Sequence, residues 1–285
     1  MLQLLNICFQ LFFLVALGLF LKKKGYLGKE VEHKLNLIVT KVIIPFSLLN
    51  TSNSPYDPNI KTSVVIMFIV AVSYYIFAYL YGYTLGRFVY KEDKDAAKVF
   101  CNCIVFANTL FIGLPIINSV LGGTGVILCI IYNLVFNLFF YPIGVPFYDK
   151  KTKYSPALSN ISSMIKDPPL IASIFTLFLY LTPYRLPTFI YDSLQLIANL
   201  MTPLSMILLG AMLSKAKIKD IFSVKAIYLI SFSRLIFLPL IMFSFSLLFP
   251  DLKDIFYVAT ILTALPTGSL NSIYAKKYCN NIDIV

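Results

Sequence analysis

Two stretches of this 285-residue chain set amide and hydroxyl side chains beside glycine and proline inside long apolar runs. The first reads Phe106-Ala107-Asn108-Thr109-Leu110-Phe111-Ile112-Gly113-Leu114-Pro115, and the second reads Thr263-Ala264-Leu265-Pro266-Thr267-Gly268-Ser269-Leu270-Asn271. Breaking a helix frees N–H groups at the start of its second half, and those groups carry partial positive charge that suits an anion. Pro115 and Pro266 are expected in the first turns of such second halves, where a missing N–H costs nothing. Asn108, Asn118 and Asn271 flank the breaks and can donate or accept. The chemistry expected of Asn108, Gly113, Pro115, Asn118, Pro266 and Asn271 is anion binding. For either break alone, a plain proline kink held by neighbouring helices is the competing reading.

Four more polar residues lie within apolar runs. Asn133 and Asn137 are four apart and share a helix face, where they line a cavity or bond a neighbouring helix. Lys41 and Arg234 place charge inside the runs, at a cost of at least about 2.5 kcal/mol, so each is expected to face a cavity or partner. Lys41 can also snorkel along its stem, and Arg234 can also bond carbonyls freed by a broken helix. The carboxylates are placed elsewhere. Glu30, Glu32, Asp57, Glu92, Asp93, Asp95, Asp149, Asp167, Asp220, Asp251, Asp254 and Asp283 fall in loops or the tail, and Asp192 at the edge of a run. A proton relay through buried Asp or Glu therefore has no carrier. The one histidine, His33, lies in a lysine-rich loop, so neither a metal site nor a His-based triad is expected, and Cys101-Asn102-Cys103 has the wrong spacing for zinc. Cys8, Cys101, Cys103, Cys129 and Cys279 read as packing residues. No metal, cofactor or enzyme activity is expected.

The elements that must position these residues are membrane helices. The chain is 59% hydrophobic and 13% charged, with a mean hydropathy of +0.81. That is about half the charged fraction of a soluble domain. A spanning helix needs about 20 mostly apolar residues, and nine runs approach that: roughly Leu4–Leu21, Leu35–Thr51, Ser63–Gly86, Ala97–Leu121, Gly125–Phe147, Leu170–Leu181, Tyr191–Leu213, Ala226–Phe249 and Ile255–Tyr278. The sixth is short unless Pro168 and Pro169 open its helix and it runs on to Tyr184. Gly122-Gly123-Thr124-Gly125 reads as a tight turn between runs four and five. The first run does not read as a signal peptide, because Lys22, Lys23 and Lys24 follow its apolar core instead of preceding it.

Lysine and arginine alternate between loops. Lys22 to Lys34, Arg87 to Lys98, Lys150 to Lys166, Lys215 to Lys225 and Lys276 with Lys277 share one side if every run crosses, whereas the other side holds only Lys61, Arg185 and Lys253. Short cytoplasmic loops collect such residues. The expected topology has the N-terminus outside the cell membrane and the lysine-rich loops in the cytoplasm. The net charge of +11 is then a topology signal, and no nucleic-acid partner is expected.

An internal repeat is visible. Run two carries Leu35-Asn36-Leu37-Ile38 and Pro45-Phe46-Ser47, and run seven carries Leu194-Gln195-Leu196-Ile197 and Pro203-Leu204-Ser205. The interrupted runs four and nine pair as well. A five-helix unit follows, and an odd unit inverts its second copy, as in many secondary transporters. The expected fold is an all-α membrane protein with an inverted repeat of five transmembrane helices. Residues 1–148 form the first repeat and residues 149–285 the second. Five and five make ten, so the nine runs lead to the expectation of a final helix absent from the sequence as given.

At these residues the chain resembles the auxin efflux carrier family, which includes the plant PIN-formed carriers and bacterial malate and malonate permeases. Asn108 through Pro115 is similar to the family signature. The resemblance continues through Tyr132-Asn133-Leu134-Val135-Phe136-Asn137 with Gly144, Asp167-Pro168-Pro169-Leu170-Ile171-Ala172, Pro203-Leu204-Ser205 with Gly210-Ala211-Met212-Leu213, and Leu265-Pro266-Thr267 through Ala275-Lys276-Lys277-Tyr278. The resemblance implies ten helices in two inverted repeats, with discontinuous helices 4 and 9 crossing at their proline breaks near the membrane centre. It also implies organic anions as substrates.

The expected function is a secondary carrier of small organic anions, working by alternating access around the two breaks, with export driven by membrane potential. A sodium-coupled anion symporter and a non-transporting receptor or channel are the alternatives. A channel or receptor would not require two matched breaks. The expected partners are the anion and the lipid bilayer, with a homodimer left open.

Overall fold

The computed structural model describes residues 2–55, 58–148, 164–182, 184–214, 225–268, 270–271 and 274–275. Lys150, Lys151, Lys153, Lys215, Lys217, Lys219, Lys276 and Lys277, and with them the end of run nine, lie outside the described residues. Among the described residues the chain is almost wholly helical, with one isolated β-bridge. Every apolar run has a helical counterpart. Six segments are long and apolar enough to cross a membrane: Leu5–Lys23, Lys29–Asn53, Ile60–Val89, Thr109–Tyr148, Thr188–Leu213 and Ala226–Leu248. The protein is an all-α membrane protein. The helix of run six opens at Pro168 but closes at Leu181 after 14 residues, so the run stays short.

The prolines follow one local rule. The π-helical turns Val39–Ile43, Thr109–Gly113, Phe140–Gly144 and Ser233–Phe237 each end two residues before a proline, namely Pro45, Pro115, Pro146 and Pro239. Proline has no N–H and its ring crowds the carbonyl four residues back. A wider turn just upstream makes room for the ring while the helix continues. This corrects one expectation. Pro115 does not open the second half of its broken helix, because helix resumes already at Thr109. The proline is tolerated deeper in because the π turn absorbs it. Pro266 lies in the unwound segment itself. The tight turn expected between runs four and five is carried by Gly122, at φ 63° and ψ −156°, with helix on both sides. That region of backbone space is essentially reserved for glycine.

The helices form two compact units that interleave along the chain: Met1–Pro58, Leu110–Ile127 and Pro168–Ile221 in one, and Asn59–Thr109, Leu128–Asp167 and Phe222–Val285 in the other. Each unit draws on both 1–148 and 149–285. The first unit contains α1 (Leu2–Lys23), α2 (Lys29–Ile38), α3 (Ile44–Asn50), α8 (Pro168–Leu181), α9 (Thr188–Ala198) and α10 (Met201–Leu213). Helices α1 and α10 touch backbone to backbone, with Gly18 on the Ile207 carbonyl and Gly210 on the Val15 carbonyl, and a Cβ fits at neither. Such small-residue contacts are how apolar helices associate where no water is present to drive them. Helix α3 packs on α8 and α9. The Tyr180 hydroxyl donates to the Pro55 carbonyl at 3.0 Å. Glu30 and Glu32, expected in a loop, lie instead in the first turn of α2, where acidic side chains suit the helix dipole. Glu32 is buried and pairs with Lys22 at 2.7 Å.

The second unit contains α4 (Ile60–Val89), α5 (Lys94–Val105), α7 (Val145–Tyr148), α11 (Lys225–Phe232), α12 (Leu238–Leu248) and α13 (Lys253–Thr263). It also holds the later part of α6, whose full span is Leu114–Phe139. Asp93 caps α5 by accepting from the N–H groups of Asp95 and Ala96 at 3.0 and 2.9 Å. Helix α4 packs on α5, and α12 on α13. The core is aromatic. Phe106 meets Tyr75, Phe136 and Phe140 at centroid distances of 6.1, 5.1 and 4.8 Å. Aromatic pairs at such distances favour edge-to-face and offset contacts, and here they seat Phe106 at the end of the first broken helix.

Candidate functional site

Within the second unit the two interrupted segments meet. Helix α5 stops at Val105 and α13 at Thr263, and residues 106–108 and 264–268 leave the helical path. Ala107 and Thr267 form an antiparallel bridge. The Asn108 N–H donates to the Pro266 carbonyl at 3.0 Å, and the Gly268 N–H donates to the Phe106 carbonyl at 2.9 Å. Each unwound strand thus satisfies backbone groups of the other, as a water-poor setting demands. Gly268 is required by this contact, since a Cβ there would stand 2.8 Å from the Ala107 oxygen.

A helix end leaves its last carbonyls without intrahelical partners. Side chains supply them here. Arg234, buried with 1% of its surface exposed, donates through Nε to the Leu265 carbonyl at 2.7 Å and through Nη1 to the Ile104 carbonyl at 2.6 Å. Its Nη2 reaches the Thr263 carbonyl at 3.5 Å. The Thr267 hydroxyl donates to the Cys103 carbonyl at 2.9 Å. The Asn271 amide donates to the Phe106 carbonyl at 3.0 Å and accepts from the Tyr148 hydroxyl. Two helix C-termini, each worth roughly half a negative charge, therefore converge on one guanidinium. The electrostatics close locally, and no carboxylate pairs with Arg234 among the described residues.

The second unit brings together Asn108, Asn133, Arg234, Pro266 and Asn271 from the expected site residues. Asn133 is buried on α6 and accepts from the Thr109 hydroxyl at 2.6 Å, tying that helix to the break. Its own amide turns back to the Cys129 carbonyl at 3.0 Å, and Asn137 does the same to Asn133 at 2.8 Å. The Asn108 side chain is half-buried and makes no hydrogen bond among the described residues. Pro266 is exposed beside it in the bridge. The other four residues belong to the first unit, where Gly113 and Pro115 are buried and Lys41 and Asn118 are exposed.

Thr109, Thr267, Gly268 and Tyr148 also build the crossing. A hydroxyl next to a break is a readable carbonyl-capping signal, so both threonines were open to inference. Tyr148 lies 123 residues from Asn271, and no local pattern marks it. Among the described residues the arrangement suits binding, because it sets amide and hydroxyl groups on a frame whose charged group, Arg234, is engaged by carbonyls.

Comparison with known proteins fits this geometry. A model of the membrane transport protein family matches residues 4–283. The chain is 28% identical to an uncharacterized transporter of Methanocaldococcus jannaschii, over 72% of this chain and 68% of that protein. It is likewise 28% identical to an uncharacterized transporter of Methanothermobacter thermautotrophicus, over 95% of this chain and 88% of that protein. The match runs through both breaks and every motif that carries the resemblance, so this chain belongs to the membrane transport protein family, the group of the auxin efflux carriers.

Proposed function

We propose that this transporter is a secondary carrier of small organic anions and that the anion binds at the bridge between the two unwound segments, on Asn108. The single observation that carries this reading is the pairing of residues 106–108 with 266–268 while the Asn108 amide stays unengaged among the described residues. A side-chain amide offers two N–H donors. Asn133 and Asn271 hold this frame in place, and Arg234 neutralises the two helix C-termini behind it.

The anion leaves the cell down the membrane potential. In this topology the N-terminus lies outside the cell membrane and the lysine-rich loops lie in the cytoplasm. One univalent anion gains about 2.3 kcal/mol per 100 mV on leaving a cell that is negative inside. Sodium coupling would need carbonyl or hydroxyl ligands at the breaks. Arg234, Thr267 and Asn271 already occupy those carbonyls, which weighs against it.

Flux of radiolabelled carboxylic acids from proteoliposomes tests the reading. Efflux should rise with an imposed inside-negative potential and ignore sodium; flux indifferent to potential overturns the uniporter. Asn108→Ala should abolish saturable binding while the protein melts within about 0.5 kcal/mol of wild type, as a part-exposed site allows. Binding that survives this change moves the site away from the bridge.

A further inference from the structure

A second feature of the same unit is built on α4. Ile76, Tyr79, Leu80 and Tyr83 form one stripe of α4 at helical spacing, and they line a groove of about 470 Å³ whose far wall is Phe139, Ile143 and Phe147. That volume falls within the range of small-molecule pockets, about 300–1,000 Å³. The walls are apolar, and the groove has one charged lining residue, Lys98, in the first turns of α5. Leu80 is 64% exposed on a 30-residue apolar helix, so the groove opens toward hydrocarbon.

The α4 stripe runs on through Thr84, which also lines the groove, toward the turn into α5. In the α4–α5 hairpin Gly86 meets the carbonyl of Ala97, the residue before Lys98, with no room for a Cβ. Lys98 itself is only loosely committed, to Asp95 at 3.2 Å with both side chains more than a third exposed. From Thr84 down to Ile76 is eight residues, about 12 Å at helical rise. One leaflet of hydrocarbon is about 15 Å deep. The groove thus has a cationic mouth at the hairpin and an apolar trough the depth of a leaflet.

We propose that this groove is a specific site for an anionic phospholipid, with one acyl chain along Ile76, Leu80 and Ile143 and the headgroup phosphate on Lys98. Basic residues next to a membrane helix are what recognises anionic headgroups. A transported organic anion lacks the long chain to fill the trough, and an apolar face of a second copy of the protein would leave Lys98 without a further counter-charge.

Native mass spectrometry of the purified full chain, titrated with phosphatidylglycerol and with phosphatidylcholine of identical chains, tests this. Wild type should retain phosphatidylglycerol about fivefold more tightly, the worth of one near-surface cation. Lys98→Ala should erase that preference, and Lys98→Arg should keep it. Leu80→Trp fills the trough from an exposed position and should reduce retention of both lipids with an unchanged melting temperature. Three results overturn the proposal. The first is Leu80→Trp retaining phosphatidylglycerol as wild type does. The second is glycerol 3-phosphate competing as well as the intact lipid, which marks a free-anion site. The third is Leu80→Trp altering oligomeric state without altering lipid retention, which marks a docking face for a second copy.

Discussion

Arg234 is the residue on which the crossing turns. A cation in an apolar run reads from sequence as either a substrate contact or a carbonyl partner. The contacts favour the second role, because three carbonyls from the ends of α5 and α13 take its N–H groups. Arg234→Met should destabilise the protein by about 3–5 kcal/mol, the cost of leaving buried polar groups without their charged partner. Arg234→Lys keeps the charge but not the fork, so it should fall between the two. Thermal unfolding in detergent measures both. Asn271→Ala should also lower stability, by about 1–3 kcal/mol, because the buried Asn271 amide no longer ties the Phe106 carbonyl to the Tyr148 hydroxyl. Asn108→Ala should not, and that contrast separates a frame residue from a binding residue. From sequence the two asparagines look equivalent, since each flanks a break; burial and partners distinguish them, and those depend on distant parts of the chain.

At the scale of elements, the apolar runs were readable because a membrane helix must be long and apolar, and glycine with proline inside it has few tolerated uses. The local outcome was less readable. Pro115 and Pro266 carry the same chemical signal, yet one sits in a continuing helix behind a π turn and the other in open chain. The difference comes from what lies opposite. The Pro266 carbonyl has the Asn108 N–H to meet, and residue 268 has no Cβ to keep the strands apart. Gly268→Ala therefore has an expected outcome stronger than its size suggests. Its Cβ would press on backbone at 2.8 Å, which cannot yield like a flexible side chain. Loss of substrate binding with an intact helical circular dichroism spectrum is expected, and binding at wild-type affinity would show that the strands need not touch.

For the whole molecule, the sequence repeats and the compact units divide the chain differently. Repeats are read from recurring leucine and proline patterns along the sequence, whereas compact units follow contacts, and each unit here gathers segments from both ends of the chain. The bridge at Ala107 and Thr267 makes this concrete, since it joins residues 160 positions apart within a single unit. Its backbone bonds are independent of side-chain identity. The amides of Asn108 and Gly268 should accordingly exchange hydrogen slowly and at matched rates, protected by a shared opening event. Fast exchange at either one would mean the strands separate readily.

That reciprocal donation has a mechanical corollary. Two strands that each hold the other's carbonyl cannot slide singly, so the ends of α5 and α13 must travel as a welded joint in any working stroke. Flexing then has to be sought in the hinges that flank the joint, and chemical locks placed across it should leave turnover intact.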